Sequence, residues 1–466
     1  MAAAAQDRSD ALVFFGATGD LAYKQIFPAL AGLVARGRLD IPVIGVAKAG
    51  WGRDQLVKRA HESLADHSGA DPGAARRLSE LLRYVDGDYR DPGTFQALRA
   101  ELGEAKAPVH YLAIPPALFS TVVTALGGSG CADGARVVVE KPFGHGLASA
   151  QELNTALYRV FPESSILRID HYLGKEAVLG LLYFRFANVF PEPVWNRTYV
   201  DSVQITMAED FGVPGRGAFY DQTGAIRDVV QNHLLQVVAL LAMEPPAGYG
   251  HRDIRDEKAK VLRAMPALRP GDVIRGQYAG YTDEDGVAAG STVETYAAMR
   301  AYVDTWRWAG VPFFIRAGKR LPVTATEVLA RLRRPPAATG GANNRHPSNY
   351  LRFALSPDIS ISLGATVKAP GEAMKGTDVE LALHEQPGSA ELAPYERLLG
   401  DALNGDASLF AREDAVEAAW AVVEPVLGDA VPLRRYQPGT WGPEQARDLI
   451  ARHGGWHDPN PAQART

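Results

Sequence analysis

Residues 11–21 read Ala-Leu-Val-Phe-Phe-Gly-Ala-Thr-Gly-Asp-Leu, and this stretch decides the fold of the N-terminal part of the chain. Its first five residues are all apolar, which is typical of a strand buried on both faces. Gly16 and Gly19 then predict a tight turn, and residues 21–36 carry apolar side chains at helical spacing before Gly37. A strand, a glycine turn and a helix in this order predict a dinucleotide site, because the backbone can approach a pyrophosphate at the helix N-terminus. An ordinary strand-to-helix turn would give the same glycine spacing.

The alternation of buried strands and helical patterns continues to about residue 170. Further strands are predicted at residues 41–47, 85–89, 109–114, 135–139 and 166–169, with helical patterns between them. Such βα alternation predicts a Rossmann-like, doubly wound parallel sheet with ligands at the carboxyl ends of its strands. We assign this α/β domain to residues 1–170.

The pattern changes after residue 171. Residues 203–208, 313–315 and 359–363 predict strands, and residues 221–243 predict one long amphipathic helix. These features indicate an α+β domain with a large, mostly antiparallel sheet over residues 171–466.

The bulk composition limits the classes of function. The 466 residues are 46% hydrophobic and 22% charged, typical of globular domains, and the net charge is −5. The negative charge argues against a nucleic-acid partner, and no apolar run approaches the roughly 20 residues of a membrane helix. A single cysteine, Cys131, excludes an intrachain disulfide, so we expect a cytoplasmic protein without a membrane partner.

The residue after the second predicted strand indicates the type of dinucleotide. An acidic residue at this place binds the ribose hydroxyls of NAD, whereas a cation accommodates the 2′-phosphate of NADP. The chain has Lys48 here, with Arg53 nearby. The two cations favour NADP, although a surface lysine would look the same.

Residues 168–176, Arg-Ile-Asp-His-Tyr-Leu-Gly-Lys-Glu, carry the densest set of reactive side chains. If they continue a strand, Asp170 and His171 point to opposite faces, Gly174 permits a turn, and Lys175 projects from the start of the next element. A carboxylate, an imidazole and a cation held this close suit an anionic substrate and a proton transfer. The alternative is a solvated, charge-rich loop.

His233 lies beside the apolar stripe of the predicted helix 221–243. A lone histidine at such a place is more often a core residue than a base. Asp228, five residues earlier, does not share its face on an α-helix and is therefore not its obvious partner.

These motifs together resemble those of the glucose-6-phosphate dehydrogenase family, over nearly the whole chain. The segments that carry the resemblance are Gly-Ala-Thr-Gly-Asp-Leu-Ala at 16–22, Glu-Lys-Pro-Phe-Gly at 140–144, Arg-Ile-Asp-His-Tyr-Leu-Gly-Lys-Glu at 168–176, Trp-Asn-Arg at 195–197, Arg-Asp-Val-Val-Gln-Asn-His-Leu-Leu-Gln at 227–236, Arg-Asp-Glu-Lys at 255–258 and Arg-Ala-Gly-Lys at 316–319. The long Asp-His-Tyr-Leu-Gly-Lys-Glu run is specific to this family.

The resemblance implies oxidation of D-glucose 6-phosphate to 6-phospho-D-glucono-1,5-lactone in the oxidative pentose phosphate pathway. It implies His233 as the catalytic base and Asp170 as the carboxylate that orients it. The implied substrate ligands are His171, Tyr172 and Lys175 for the phosphate, and Glu209, Asp228, Lys319 and Lys141 for the sugar. The second domain would then bind substrate and form the oligomer.

The resemblance also implies NADP as the cofactor and no metal. The implied cofactor residues are Gly16, Ala17, Thr18, Gly19, Asp20, Leu21, Lys48, Asp88, Tyr89, Tyr111 and Lys141. Lys48 stands where many relatives carry arginine, so NAD remains a weaker alternative. Thr324 stands where relatives carry a second basic residue, for which Arg320 is a candidate replacement. A homodimer or homotetramer is expected, built on the large sheet.

Two other functions fit part of the chain. A sugar dehydrogenase of the glucose–fructose oxidoreductase type would share the Glu-Lys-Pro turn at 140–142, but an unphosphorylated substrate would not need His171 and Lys175. A non-enzymatic NADP sensor or assembly protein could keep the fold, but it would not need His233 and Asp170.

Overall fold

The computed structural model describes residues 8–67, 71–248, 250–335, 348–371, 375–384 and 392–460, with only the backbone of His251. The chain divides into two compact units. The first unit contains residues 1–176, 246–256 and 390–417, and the second unit contains residues 177–245, 257–389 and 418–466. The boundary at 170/171 stays a prediction, and the two later segments of the first unit were not predicted.

The first unit contains a parallel sheet of six strands. They are β1 (Ala11–Phe15), β2 (Val43–Ala47), β3 (Leu82–Asp86), β4 (Pro108–Leu112), β5 (Arg136–Glu140) and β6 (Ile166–Ile169). Their order is β3-β2-β1-β4-β5-β6 and all pairs are parallel. This is the strand order of a Rossmann fold, so the predicted α/β class is confirmed.

Helices connect these strands. They are α1 (Phe27–Ala35), α2 (Arg53–His67), α3 (Pro72–Leu81), α4 (Pro92–Leu102), α5 (Phe119–Gly128) and α6 (Leu147–Tyr158). A π-helical turn, Ala22–Ile26, precedes α1. The strand predicted at residues 85–89 was misplaced. β3 follows α3 directly and ends at Asp86, so Tyr89 lies outside the strand.

The second unit contains a mixed sheet of nine strands. They are β7 (Val200–Ala208), β8 (Val273–Tyr278), β9 (Tyr296–Ala301), β10 (Phe313–Gly318), β11 (Ala325–Leu332), β12 (Tyr350–Ser356), β13 (Ser360–Lys368), β14 (Gly376–His384) and β15 (Leu433–Tyr436). Their order is β14-β13-β12-β11-β7-β10-β9-β8-β15. Only the pairs β7–β10 and β8–β15 are parallel within the described strands, so the predicted mostly antiparallel sheet is confirmed.

The later helices of the chain are divided between the units. They are α7 (Glu176–Ala187), α8 (Gly217–Ala225), α9 (Leu235–Ala242), α10 (His251–Arg263), α11 (Pro394–Asn404), α12 (Glu413–Val423) and α13 (Ala446–Ile450). Helix α11 belongs to the first unit, where Leu398 and Leu399 join the same hydrophobic core as Leu30 of α1. Arg36 and Glu396 form an ion pair of 2.7 Å beside that core. None of the helices in the described ranges is both long and apolar enough to cross a membrane.

The prediction of a single helix over residues 221–243 was wrong, because this segment is divided into three helical pieces. It is α8, a π-helix (Ile226–Leu234) and α9, with a break at Gly224, whose φ is +69°. Glu294 causes this break: its carbonyl accepts from the N–H of Ala225 and its carboxylate from the N–H of Ile226. A Cβ at Gly224 would lie 2.5 Å from that carboxylate, so only glycine fits here.

Candidate active site

The glycine turn after β1 is held in a conformation that requires Gly16. Its φ is +81°, and a Cβ would lie 2.1 Å from the carbonyl oxygen of Ala113. Its N–H donates to the Val46 carbonyl and to the Tyr89 hydroxyl, both at 2.9 Å. The Tyr89 hydroxyl in turn donates to Val46 at 3.1 Å. Tyr89 therefore fixes the turn, and its predicted contact with the cofactor stays a prediction.

The outer part of this turn is accessible, as a cofactor would require. Ala17 is buried against Gly45, where a Cβ would lie 2.8 Å from the Ala17 methyl group, whereas Thr18 and Leu21 are half-buried and Gly19 and Asp20 are exposed. The predicted residues 16–21 thus form one strand-to-helix turn at the carboxyl end of β1.

The end of β2 presents a cation. Lys48 is 72% exposed and pairs with Asp88 at 3.0 Å. The neighbouring carboxylate, Asp86, accepts from the N–H groups of Ala49 and Gly50 at 2.9 and 2.8 Å, and these bonds lower its pKa. A cation at this place can accommodate a 2′-phosphate. The residues present therefore fit a nicotinamide dinucleotide, and the choice of NADP over NAD stays a prediction.

Arg53, the second cation that the sequence suggested, is hydrogen-bonded to the backbone, and its contact with the cofactor stays a prediction. Its guanidinium donates to the carbonyls of Ser79 and Leu82 at 2.6 and 2.7 Å. These contacts hold the start of α2 against the junction of α3 and β3.

A buried carboxyl group lies at the end of β5, directly before Lys141. Glu140 is 8% exposed, and the fully buried Tyr111 donates a short hydrogen bond to it. Tyr395, at the start of α11, also bonds to Glu140. Burial raises the pKa of Glu140 to about 7. Tyr111 was predicted at the cofactor. Its hydroxyl donates to Glu140, and its contact with the cofactor stays a prediction.

Tyr395 also packs against a predicted phosphate ligand. Its ring stacks on the imidazole of His171, with centroids 6.2 Å apart and an angle of 8° between the planes. Tyr395 thus connects the Glu140 carboxyl to the turn after β6. It lies far from both residues along the chain, beyond the range of local sequence patterns.

We expect Glu140→Gln to remove a pH dependence of stability. In the unfolded chain this carboxyl ionises near pH 4.5, whereas in the native protein it keeps its proton to about pH 7. Between these values the native state binds more protons, so the free energy of unfolding of the wild-type protein falls as the pH rises. The fall is on the order of 3 kcal/mol across the interval. Urea unfolding from pH 4.5 to pH 7 measures it.

The free energy of unfolding of the variant is subtracted from that of the wild-type protein at each pH. The contributions of other carboxyl groups with raised pKa values, such as Asp401, cancel in this difference. The exposed Glu80→Gln on α3 is the control and is expected to keep the wild-type slope. A Glu140→Gln protein that loses stability with pH as the wild type does would contradict the assignment.

The turn after β6 differs from the strand that the sequence suggested. β6 ends at Ile169, and Asp170 begins a series of turns that lead into α7. The Asp170 carboxylate accepts from the N–H of Tyr172 at 3.0 Å, which starts the first turn. Asp170 is buried and His171 is half-buried, and this difference comes from the turn and not from strand alternation.

A buried arginine holds β6 in place. Arg168 is fully buried and donates to both carboxylate oxygens of Glu163 at 2.9 Å and to Asn154 at 2.8 Å. The same Glu163 carboxylate lies 3.6 Å from Arg255. These contacts attach a later segment of the first unit to the strand that ends at Asp170.

The other predicted phosphate ligands lie on the same turn. The Lys175 ammonium lies 4.5 Å from the centre of the Tyr172 ring. Gly174 is needed for space and not for a left-handed backbone, because a Cβ would lie 3.0 Å from the Pro394 carbonyl and 3.1 Å from Leu398. The first unit therefore brings together His171, Tyr172 and Lys175 under the start of α11.

The second unit brings Glu209 and Lys319 together. They follow the paired ends of β7 and β10, and their side chains form an ion pair of 2.5 Å. The Lys319 ammonium also lies 5.0 Å from the Phe211 ring and 5.4 Å from the Tyr220 ring. Charged groups are thus presented at the carboxyl ends of two neighbouring central strands, and their contact with the sugar stays a prediction.

Tyr220 connects these residues to Asp228. It is buried, and its pKa is raised by burial first and then by the charges of Asp228 and Glu209. Asp228 therefore lies in the same neighbourhood as the ion pair. Tyr220 was not predicted, since its place on α8 carries no signal in the sequence.

The π-helix changes the relation between Asp228 and His233. The two residues were predicted to lie apart, because residues five apart do not share a face of an α-helix. In a π-helix the backbone hydrogen bonds join residues i and i+5 and each turn is wider than in an α-helix, so these two residues lie on nearly the same face. His233 is 5% exposed. The prediction that Asp228 and His233 do not share a helix face was therefore wrong, and the predicted partnership of His233 with Asp170 stays a prediction.

The Thr324 side chain is hydrogen-bonded to the neighbouring residue Asp210. Its hydroxyl donates to Asp210 at 2.5 Å and accepts from the Asp210 N–H at 3.0 Å. Arg320 has a φ of +53°, and its guanidinium lies 3.7 Å from Glu284. Arg320 therefore has a partner of its own, and its suggested replacement of a basic residue at position 324 remains a prediction.

Comparisons with known proteins identify the family. Residues 13–179 match the family model "Glucose-6-phosphate dehydrogenase, NAD binding domain", and residues 182–457 match "Glucose-6-phosphate dehydrogenase, C-terminal domain". Glucose-6-phosphate 1-dehydrogenase 1 of Mycobacterium tuberculosis is 46% identical over 452 residues, which cover 97% of each chain.

Solved structures give the same result. The crystal structure of glucose-6-phosphate 1-dehydrogenase from Mycobacterium avium superposes with a TM-score of 0.91 at 46% identity, over 97% of this chain and 99% of that one. A glucose-6-phosphate dehydrogenase solved in complex with its substrate glucose 6-phosphate gives a TM-score of 0.89 at 34% identity, over the same shares. The chain belongs to the glucose-6-phosphate dehydrogenase family.

Proposed function

We propose that the protein oxidises D-glucose 6-phosphate at its anomeric carbon to 6-phospho-D-glucono-1,5-lactone, with NADP as the hydride acceptor. The observation that carries the proposal is the turn after β6. It offers a buried carboxylate at Asp170 next to an accessible imidazole and ammonium group at His171 and Lys175. Proton transfer and phosphate binding need these groups, and a family member has been solved with glucose 6-phosphate.

His233 acts as the base that takes the proton from the anomeric hydroxyl. Removing this proton lets electron density from oxygen form the carbonyl while the hydride leaves the same carbon. Asp170 orients the imidazole and stabilises the positive charge that it gains. Its own position is fixed by the Tyr172 N–H and by the Arg168 anchor of β6.

The sugar phosphate binds at His171, Tyr172 and Lys175. Charged donors make stronger hydrogen bonds to phosphate oxygens than neutral donors do. Glu209, Lys319 and Asp228 bind the sugar hydroxyls, with Lys141 between the sugar and the cofactor. This division predicts that an unphosphorylated sugar is a poor substrate.

The cofactor is held by the turn 16–21 and by the residues after β2 and β5. When bound, NADP supplies the acceptor for the hydride. The accessible glycine turn receives the pyrophosphate and Lys48 the 2′-phosphate. No metal is required, because a positioned base and a hydride acceptor suffice.

Isotopic labelling tests the reaction. With glucose 6-phosphate deuterated at carbon 1, we expect one deuterium in the reduced nicotinamide of the product and a lactone that hydrolyses to 6-phosphogluconate. Mass spectrometry of both products measures this. Deuterium that stays in the sugar would contradict oxidation at the anomeric carbon.

The protein is a cytoplasmic homo-oligomer in this proposal, assembled on the large sheet. At its β14 edge, directly paired Leu363 and Leu381 are exposed on one face, with Val367 and Leu383 in line with them. Their exposed fractions are 38%, 63%, 45% and 64%. An exposed apolar face beside an edge strand tends to bind another chain. Such a face is therefore typical of a subunit interface.

We expect Leu381→Arg to yield monomers, because a charge would be buried at the centre of this face. Sedimentation velocity measures the change. Ala382→Arg adds the same charge to the opposite face of β14 and is expected to leave the oligomer intact. If both variants keep the wild-type sedimentation coefficient, the oligomer uses another surface.

A further inference from the structure

An arginine of α2 lies between two aromatic rings near the predicted cofactor edge. The guanidinium carbon of Arg59 is 4.6 Å from the centre of the Tyr23 ring and 6.0 Å from the centre of the Trp51 ring. All three side chains are half-buried. Stacking on aromatic faces holds a guanidinium in place while leaving its edge available for other ligands.

The two rings belong to the two segments that are expected to receive phosphates. Tyr23 comes after the glycine turn, and its N–H donates to the Gly19 carbonyl at 3.1 Å. Trp51 lies in the loop after Lys48, which Asp86 holds through backbone hydrogen bonds. Arg59 thus lies between the pyrophosphate segment and the 2′-phosphate segment of the first unit.

No carboxylate pairs directly with Arg59 within the described part of the chain. Its guanidinium has neither an ion pair nor a hydrogen bond there, and its Nε is buried without a partner. The neighbouring cations differ: Lys48 pairs with Asp88, and Lys58 lies 3.9 Å from Glu62. The nearby carboxylate of Asp66 accepts from the Tyr23 hydroxyl at 2.5 Å.

We propose that Arg59 is a second cation for the 2′-phosphate of NADP, acting with Lys48, and therefore a residue that determines the preference for NADP over NAD. A lysine provides a point charge, whereas an arginine provides a planar fork that can bind two phosphate oxygens. Arg59 supplies the fork that Lys48 lacks. The inference rests on the proposed use of NADP.

Nucleotide fragments test the inference without catalysis. Isothermal titration compares adenosine 2′,5′-bisphosphate with adenosine 5′-monophosphate on the full-length protein. For Arg59→Gln we expect the dissociation constant of the bisphosphate to rise roughly tenfold and that of the monophosphate to change less than about twofold. The steady-state KM for NADP is expected to rise as the bisphosphate constant does, and the KM for NAD is expected to change as little as the monophosphate constant does.

Lys58→Gln is the matched control, because it removes one positive charge from the same helix, at an exposed lysine that lies 3.9 Å from Glu62. It is expected to leave both dissociation constants unchanged. Lys48→Ala is the comparison variant and is expected to weaken the bisphosphate selectively as well. Equal losses for the two fragments in Arg59→Gln, or none, would overturn the inference.

Arg59→Lys covers the case in which Arg59→Gln does not fold. It keeps the charge but loses the fork, so its bisphosphate affinity is expected to fall severalfold while the monophosphate affinity stays the same. No selective loss in this variant would also overturn the inference. Because binding is measured directly, a protein that did not oxidise glucose 6-phosphate but bound the bisphosphate through Arg59 would disprove the reaction and support this site.

Discussion

Replacing His233 with asparagine is expected to lower kcat by roughly 10²–10⁴-fold, the usual contribution of a general base. Asparagine keeps a polar side chain of similar size in the buried π-helix but cannot take a proton at neutral pH. Steady-state kinetics with NADP and glucose 6-phosphate measures the loss. Because the variant keeps the substrate and cofactor ligands, KM for both is expected to change much less than kcat.

Direct binding of glucose 6-phosphate to the variant is the control for folding. A folded variant that binds substrate but turns it over slowly supports the assignment of His233. Near-normal turnover would remove His233 from the base role and point to Asp228, which the π-helix places on the same face.

Lys175→Thr is expected to act on substrate binding instead of chemistry. Loss of a charge-assisted hydrogen bond to the phosphate raises KM for glucose 6-phosphate by roughly 10- to 100-fold. The small side chain adds no bulk to a turn that already lies close to Pro394 and Leu398. Initial rates over a range of glucose 6-phosphate concentrations measure the effect, and kcat is expected to fall much less.

Two controls separate this effect from a general loss of charge. Glucose, which has no phosphate, is expected to be used equally poorly by Lys175→Thr and by the wild-type protein. Lys106→Thr removes a positive charge before β4, at the opposite end of the sheet from the strand ends that form the site, and is expected to leave KM unchanged. An unchanged KM in Lys175→Thr would exclude this lysine from the phosphate site.

The architecture of both sheets could be predicted because it depends on local periodicity. Continuous apolar runs such as residues 11–15 belong to strands buried on both faces, and alternating runs belong to the larger sheet. The helix at residues 221–243 was the main error. Its apolar stripe is helical throughout, but Gly224 and the contact with the distant Glu294 divide it, and no local pattern records such a contact.

The position of the candidate site residues at strand ends was predictable, whereas the contacts that support them were not. Asp170, His171 and Lys175 share one short segment, and Lys48 and Lys141 each come directly after a recognisable strand. Tyr395 reaches His171 and Glu140 from α11, and Arg59 reaches Tyr23 and Trp51 from α2. These contacts arise from packing between elements far apart in the chain, which only the folded structure reveals.

The central claim is that this chain oxidises glucose 6-phosphate with NADP. Absorbance at the reduced-nicotinamide band tests it most directly, using purified protein with glucose 6-phosphate or glucose, each with NADP or NAD. We expect a strong signal with glucose 6-phosphate and NADP, a weaker one with NAD, and almost none with glucose. A folded protein that gave no signal with glucose 6-phosphate and either cofactor would contradict the account.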